Sequence, residues 1–376
     1  MHRDILPRVI FSPGQLALDL CEGLEKLGAE VTLLTPGPVD TSVRNVTADL
    51  SYFEHELAGR GDGYMDLLKK HPFTFITLAR QVQSELLARA FAMANNDEFD
   101  IVHIYTNEED TALPFAELCK KPVVFTHHDP FNFLVKYKNL FPKYARLNWI
   151  SISYAQRAGM PEHTNWVGNI YHGIDEKMFH TNTTPAADYI AYLGRIIEPK
   201  GVHLAIEALR KFNQNTGQQL RLKIAGKHYS EHKKDNYWQS RIEPLLGEDV
   251  EYVGFINTAR EKQDFLGNAR ALIIPSTFQE PFGMVMIEAL ACGTPLIGLH
   301  SGAISEVIQN KSGILVEKSL AKDGTLDEQQ TVAGLADAIK NVSQVSPSDA
   351  RADFESRFTL DRMCQEHLAA YQKLIK

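Results

Sequence analysis

Gln279 to Ile297 reads QEPFGMVMIEALACGTPLI, an apolar run framed by two carboxylates, Glu280 and Glu288. Pro281 and Gly283 break regular structure, whereas Met284 to Ala291 is rich in good helix formers. The spacing predicts a helix from near Gly283 to a stop at Cys292-Gly293. Glu280 then belongs to the loop before the helix and Glu288 to the helix itself. ALIIPS (Ala271 to Ser276) before this stretch and PLIG (Pro295 to Gly298) at its end are short apolar runs of strand type. The unit is strand, loop, helix, strand. In an open α/β sheet the loop leaving a strand's C-terminal end is where ligands bind, and the helix that follows offers free N–H groups and a positive dipole end. A carboxylate beside such an anion site suits hydroxyl groups, as on a sugar. The same spacing also fits a core helix with charged edges, so the surrounding chain must decide.

Upstream, strands and helices alternate. DYIAYLG (Asp188 to Gly194), a helix from about Val202 to Phe212, LRLKIAG (Leu220 to Gly226), a helix near Trp238 to Leu246, VEYVG (Val250 to Gly254) and a helix near Ala259 to Ala269 lead into ALIIPS. The first half has its own series. Leu16, Leu20, Leu24 and Leu27 recur at helical spacing before Gly28, and EVTLLT (Glu30 to Thr35) is a strand closed by Pro36-Gly37. A helix from about Phe75 to Ala94, the strand DIVHIY (Asp100 to Tyr105), a helix around Ala112 to Cys119 and the strands PVVFT (Pro122 to Thr126) and NWISIS (Asn148 to Ser153) follow.

Such alternation predicts an α/β protein whose parallel sheets are covered by helices on both faces. NIYHGID (Asn169 to Asp175) is short on core pattern, and the Thr/Asn/Pro/Ala-rich chain up to Ala187 reads as a surface connection. Two Rossmann-like domains facing each other across a cleft are expected, over 1–172 and 173–357. A C-terminal helix over 358–376 is expected to pack back toward the first domain.

Length and composition agree with two soluble globular domains: 376 residues, 44% hydrophobic and 23% charged, with a formal net charge of -8. This acidic balance argues against bulk nucleic-acid binding. Cys21, Cys119, Cys292 and Cys364 form no CxxC pair, as in a reduced cytoplasmic protein. MHRDILPR lacks a secretory apolar region, and no apolar run approaches the roughly 18 residues that span a bilayer. The expected location is the cytoplasm, with any membrane contact peripheral. GRGDG (Gly59 to Gly63) fails the GxGxxG pattern and reads as a flexible loop, and the chain contains no GxxxxGK[ST] and no DxD.

The strand DYIAYLG runs into GRIIEPKG, Gly194 to Gly201. Arg195 and Lys200 therefore leave the first strand of the second domain on the same sheet edge as the loop with Glu280. Two fixed cations beside a helix N-terminus make a diphosphate site that needs no metal. No metal ligands are expected.

EPFGMVMIE resembles the E-x7-E signature of retaining family 4 glycosyltransferases with the GT-B fold, and GRIIEPKG resembles their GR-x4-KG segment. YHGID followed by Phe179, Ala225-Gly226, YVGFI (Tyr252 to Ile256) and SGAISEVI (Ser301 to Ile308) resemble the family in its order. The resemblance implies a hexosyltransferase of carbohydrate biosynthesis with no cofactor, using a UDP-sugar or GDP-sugar donor, UDP being favoured. Its acceptor would be a glycan, a lipid-linked molecule or a small molecule. By position, Glu280 would approach the donor sugar, Glu288 the ribose, and Arg195 and Lys200 the diphosphate. Backbone N–H groups near Gly283, Met284 and Val285 would meet phosphate oxygens, and Gly226, Ile256 and Phe282 would complete the nucleotide site. PVVFTHHD resembles the family's strand ending in T-x-H, which implies His128 rather than His127 as the residue beside the donor sugar.

Adjacent strand residues point to opposite faces, so His127 and His128 are not expected to chelate one ion. The chain departs from the family where a Gly-Gly loop is usual. Phe11-Ser12 falls there, with either Met1 to Ile5 or Arg8 to Phe11 as a short first strand. That departure keeps two rivals open, a non-catalytic sugar-nucleotide-binding subunit and a GT-B epimerase. KYKNLFPKYARLNW (Lys136 to Trp149) is either an acceptor or membrane-surface patch or a solvated helix face over the core.

Overall fold

The computed structural model describes residues 12–61, 63–105, 109–182, 188–228, 236–256 and 258–376. Both candidate first strands, with Phe11, lie outside the described residues. The chain divides into two compact units: Met1–Ile152, Arg157–Ile170 and Leu360–Lys376 form one, and Ser153–Gln156 with Tyr171–Thr359 the other.

In the first unit, α1 (Ser12–Lys26) buries Leu16, Leu20 and Leu24, the apolar ridge read from their spacing. Strands β1 (Thr32–Thr35) and β2 (Arg44–Thr47) pair in parallel. Helices α2 (Ser51–Arg60), α3 (Tyr64–Lys70) and α4 (Pro72–Asn95) follow. Then come β3 (Val102–Ile104), α5 (Glu109–Ala112), β4 (Val123–Thr126), α6 (Val135–Leu140), β5 (Asn148–Ser151) and β6 (Trp166–Asn169), whose strands form, among the described residues, a four-stranded parallel sheet in chain order. Phe125, Phe131, Phe141 and Trp149 are fully buried beneath it.

Several expectations need correction here. The helix expected around Ala112 to Cys119 is the end of α5 and a 3-10 turn, Leu113–Leu118, because Pro114 near its start has no N–H to give the preceding turn. GRGDG is a helix junction: Arg60 ends α2, Gly61 caps it with φ of 66°, and α3 starts just after Gly63, Asp62 lying outside the described residues.

The second unit contains β7 (Tyr189–Leu193), α7 (Val202–Thr216), β8 (Arg221–Ala225), β9 (Val250–Gly254), α8 (Ala259–Gly267), β10 (Ala271–Ile274), α9 (Met284–Ala291), β11 (Leu296–Leu299), α10 (Ile304–Val307), β12 (Gly313–Val316), α11 (Glu328–Asn341) and α12 (Pro347–Arg357). Among the described residues its six strands are all parallel and run β12-β11-β10-β7-β8-β9. The chain starts in the middle at β7, moves outward to β9, then crosses to β10 and moves outward the other way. The β7/β10 boundary is therefore a topological switch point, where the loops leaving two neighbouring strands diverge and leave a crevice. α13 (Leu360–Ile375) belongs to the first unit and packs on α1, where Gly23 faces Cys364.

Helix α7 buries Val202, Ala205, Ile206, Ala208, Leu209 and Phe212 on the sheet, at ~2 kcal/mol for each large side chain. The helix expected near Trp238 to Leu246 is instead a π turn, Trp238–Ile242, followed by a 3-10 turn, Glu243–Leu245, with Pro244 at the change. NIYHGID, short on core pattern as a sequence, nevertheless buries Ile170, His172 and Ile174, with His172 edge-on to Phe282 at 5.0 Å. Among the described residues no helix is long and apolar enough to cross a membrane.

Candidate active site

The β7/β10 switch point brings the two charged loops together. Lys200 ends the 3-10 turn Glu198–Lys200 after β7, and its Nζ donates to Glu280 Oε1 on the loop after β10. Ser276 Oγ donates to the same oxygen at 2.7 Å. Glu280 is 6% exposed, and these two donors replace water around its charge. The loops are also joined through their backbones, since Thr277 N–H donates to Pro199 O at 2.9 Å. Arg195 is exposed at the start of the first loop, and its carbonyl accepts from Tyr192 Oη at 2.8 Å. Burial, with smaller pushes from Tyr237 and Glu280, holds the Tyr192 phenol well above its usual pKa and keeps it a donor.

Helix α9 is apolar on every side, and Met286, Ile287, Ala289, Leu290 and Ala291 are all fully buried. Glu288 sits within it at 9% exposure, a position where an unpaired carboxylate is costly. Lys262 of α8 supplies the partner, Nζ donating to Glu288 Oε1 at 2.6 Å. Gly283 caps α9 with φ of 96°, and Met284 and Val285, both partly exposed, form its first turn. Backbone N–H groups of a first turn have no partner within the helix and favour an anion.

The remaining expected residues take more varied positions. Gly226, at φ of 148°, lies so close to the first loop that a Cβ there would stand 1.8 Å from Gly194 O, so only glycine fits. Ile256 is partly exposed just after β9. The Phe282 ring is buried against His172 and Phe358, which leaves its backbone as the part able to meet a ligand.

The Glu280 loop is fixed from behind by the segment that resembled the family's SGAISEVI. Ala303 N–H donates to Glu280 O at 2.8 Å, and Ser301 Oγ donates to Phe278 O at 2.6 Å. Gly302 has φ of 56°, and a Cβ on it would come within 2.4 Å of Glu280 O. Ser153 Oγ donates to Pro281 O at 2.7 Å. In the same unit the Glu306 carboxylate accepts from the N–H of Tyr154 at 2.9 Å and from Tyr171 Oη at 3.0 Å.

His128 belongs to the first unit, at the end of β4. Its Nε2 donates to Tyr105 O and its ring meets Tyr105 edge-on at 4.7 Å, while burial pushes its pKa down to about 3. The imidazole is neutral, with an acceptor nitrogen at Nδ1. His127 faces the other side, 3.2 Å from buried Glu109 and ringed by Phe131, Tyr137 and Phe141. Desolvation raises the Glu109 pKa.

The reading of the residues gave no role to Lys262, Ser276, Ser301 or Ser153. Lys262 and Glu288 are 26 residues apart on different helices, and only the packing of α8 on α9 joins them. Ser276 did have a local signal, as the last residue of ALIIPS and four before Glu280.

Comparison with known proteins agrees with this geometry. The Glycosyl transferases group 1 family model matches residues 173–351, and the Glycosyltransferase Family 4 model matches residues 14–159. A Mycobacterium tuberculosis glycogen synthase is 33% identical over 156 residues, 41% of this chain and 33% of that protein. A GDP-mannose-dependent alpha-(1-6)-phosphatidylinositol dimannoside mannosyltransferase of the same species is 28% identical over 152 residues, 38% of this chain and 37% of that protein. The chain thus spans about a third of the length of these curated relatives. Among solved structures, Anabaena Alr3699/HepE with UDP and glucose superposes with a TM-score of 0.67 at 17% identity, over 97% of this chain and 96% of that one. Together with the six parallel strands and their switch point, these matches show that the chain belongs to the family 4 glycosyltransferases and has the GT-B fold.

Proposed function

We propose that this chain is a retaining glycosyltransferase that moves a hexose from a nucleoside diphosphate sugar to a hydroxyl acceptor without a metal ion. The observation that carries this reading is the bonding of Lys200 to Glu280 at the switch point, beside the first turn of α9. Cations, free N–H groups and a carboxylate lie on neighbouring loops, as a molecule with a diphosphate at one end and hydroxyls at the other requires. Lys200 and Arg195 hold the diphosphate, aided by the N–H groups around Gly283 to Val285. Glu280 takes sugar hydroxyls and Glu288 the ribose, with Gly226, Ile256 and the Phe282 backbone completing the nucleotide site. His128 is assigned to the sugar on the resemblance alone.

In the reaction the bond between the anomeric carbon and the diphosphate oxygen breaks, and its electron pair goes to the leaving group. The acceptor oxygen bonds the anomeric carbon on the same face, and its proton passes to the leaving phosphate oxygen. Lys200 and Arg195 stabilise the charge that develops on that oxygen, worth ~3 kcal/mol for one such donor. Glu280 positions the sugar and is not a nucleophile.

A UDP-sugar is assigned ahead of a GDP-sugar. Support for either nucleotide comes from relatives, one with UDP bound and one named for GDP-mannose. The test incubates the protein with UDP- and GDP-hexoses and a panel of glycan, lipid-linked and small acceptors, with and without EDTA. Mass analysis detects transfer or donor hydrolysis, and proton NMR reads the anomeric configuration. Transfer with retained configuration, unchanged by EDTA, is expected. Inversion, or activity lost to EDTA and restored by magnesium, overturns the mechanism. A donor bound but never cleaved makes the chain a binding subunit, and an altered sugar stereocentre makes it an epimerase.

A further inference from the structure

The pairing of Lys262 with Glu288 carries an inference that rests on, and goes beyond, the assignment of Glu288 to ribose. We propose that Lys262 reads the ribose together with Glu288 and makes the site selective for ribonucleoside over 2′-deoxyribonucleoside diphosphates. Two roles compete for this lysine. It could merely neutralise a buried carboxylate, or it could be part of the surface that the nucleoside meets.

The geometry favours the second. Lys262 keeps 27% of its side chain accessible while its Nζ holds Glu288 Oε1 at 2.6 Å, so the lysine is not sealed beneath the carboxylate it neutralises. One of its three N–H donors is spent on Glu288, and two remain for a hydroxyl oxygen. Among the described residues, Lys262 alone donates to the Glu288 carboxylate, through Oε1. The Oε2 atom then serves as an acceptor for a ribose hydroxyl, whose own oxygen can accept from the Lys262 ammonium. A cis pair of ribose hydroxyls suits a carboxylate and an ammonium side by side, because it both donates and accepts.

The lysine is also preset. α8 starts from a capping box in which Thr258 Oγ1 accepts from Glu261 N–H and the Glu261 carboxylate accepts from Thr258 N–H. Its next residue, Gln263, is buried and bonded in both directions to the backbone of His180, at 2.9 and 3.0 Å. Gln263 also meets Cys292 Sγ, just past the end of α9, at 3.4 Å. α8 is thus fixed against α9 with Lys262 facing Glu288. α8 is the next element in the chain after Ile256, which is assigned to the nucleotide, and this places Lys262 with the nucleoside in the proposal.

The test is calorimetry with UDP and 2′-deoxyuridine diphosphate on the wild-type protein and on the Lys262→Met, Lys262→Arg and Glu288→Ala variants. Loss of one charge-assisted hydrogen bond corresponds to about tenfold in affinity or somewhat more. The wild type is expected to prefer UDP by about that factor. Lys262→Met should weaken UDP by about tenfold and leave the deoxy compound nearly unchanged, collapsing the preference, while Lys262→Arg restores part of it.

A preference that survives in Lys262→Met would overturn the proposal and leave the lysine as a neutralising partner. Tighter UDP binding would also overturn it, by showing that Lys262 competes with ribose for Glu288. Glu288→Ala separates the two levels. If it leaves UDP affinity unchanged, the ribose assignment itself fails. If it abolishes the preference and Lys262→Met does not, only the inference about Lys262 fails. Should the Met variant not fold, Lys262→Gln carries the same measurement.

Discussion

Two polar clusters, one in each unit, are built in opposite ways. In the second, carboxylates are set into apolar surroundings and each is given an ammonium, Lys200 for Glu280 and Lys262 for Glu288. In the first, His128 and His367 are buried and His103 half-buried among Tyr105 and Tyr371. His103 Nδ1 meets Tyr371 Oη at 2.6 Å and its Nε2 meets Thr126 Oγ1 at 2.9 Å, while His367 Nδ1 donates to Met363 O at 2.8 Å. Burial lowers all three histidine pKa values, His128 to about 3, His367 to about 4 and His103 well below the usual range. The two carboxylates of the second unit carry cationic partners, whereas this cluster of the first holds neutral rings. The charged chemistry of donor binding therefore belongs to the second unit in this account.

The largest effect is expected from breaking the charged side of that contrast. Lys200→Ala should lower kcat by about 10²- to 10³-fold, because the lysine is assigned to the charge on the leaving diphosphate. Steady-state rates with the donor identified above check this, and a change of less than a few-fold would remove Lys200 from the chemistry.

The neutral side breaks with acid. The folded pKa values of His128 and His367 lie below the unfolded value near 6.5, so the unfolded chain binds more protons as pH falls through that range. Stability is then full above about pH 6.5 and declines toward the folded values, by ~2 kcal/mol per histidine between pH 7 and pH 5. Trp149 and Trp166 lie in the first unit and Trp238 in the second. Denaturant unfolding followed by tryptophan fluorescence in a Trp238→Phe background reads the first unit. An unfolding midpoint equal at the two pH values would contradict the neutral cluster.

A smaller effect should come from the backbone support of Glu280. Gly302→Ala puts a side chain on a residue with φ of 56°, which costs ~1 to 2 kcal/mol by itself, and against the Glu280 backbone, which adds to that loss of stability. Turnover should fall while UDP affinity holds, since Glu288 and Lys262 are on other elements. Equal losses in both would mean that the whole unit has loosened. The smallest change is expected at Arg146, whose pairing with Glu117 is largely exposed, at 77% and 64% of the two side chains. Arg146→Ala should alter stability by less than ~0.5 kcal/mol.

Much of the fold was legible because buried parallel strands are short unbroken apolar runs, as in ALIIPS and PVVFT, and helices such as α2 and α7 end at glycines. The elements that escaped carry weaker patterns. β2 reads RNVT at the edge of a two-stranded sheet, and α2 buries only Phe53, so neither shows a period. The turns at Leu113–Leu118 and Trp238–Leu245 read as α-helix because their composition is helical while Pro114 and Pro244 redirect the hydrogen bonds. In the site, Glu280, Lys200 and Arg195 were visible as motifs on loops that leave neighbouring strands. Lys262 was not, because its tie to Glu288 exists only across two packed helices.

The separate duties of Glu280 and Glu288 are the central claim, and calorimetry with UDP on Glu280→Ala and Glu288→Ala tests it most directly. UDP carries the ribose and the diphosphate and no sugar. Glu280→Ala should therefore bind UDP nearly as the wild type does and lose turnover with the intact donor, since its contacts matter most as the sugar ring distorts. Glu288→Ala should weaken UDP by about tenfold, the value of one charge-assisted hydrogen bond. Equal loss of UDP affinity in both variants, or full activity in Glu280→Ala, would contradict the account.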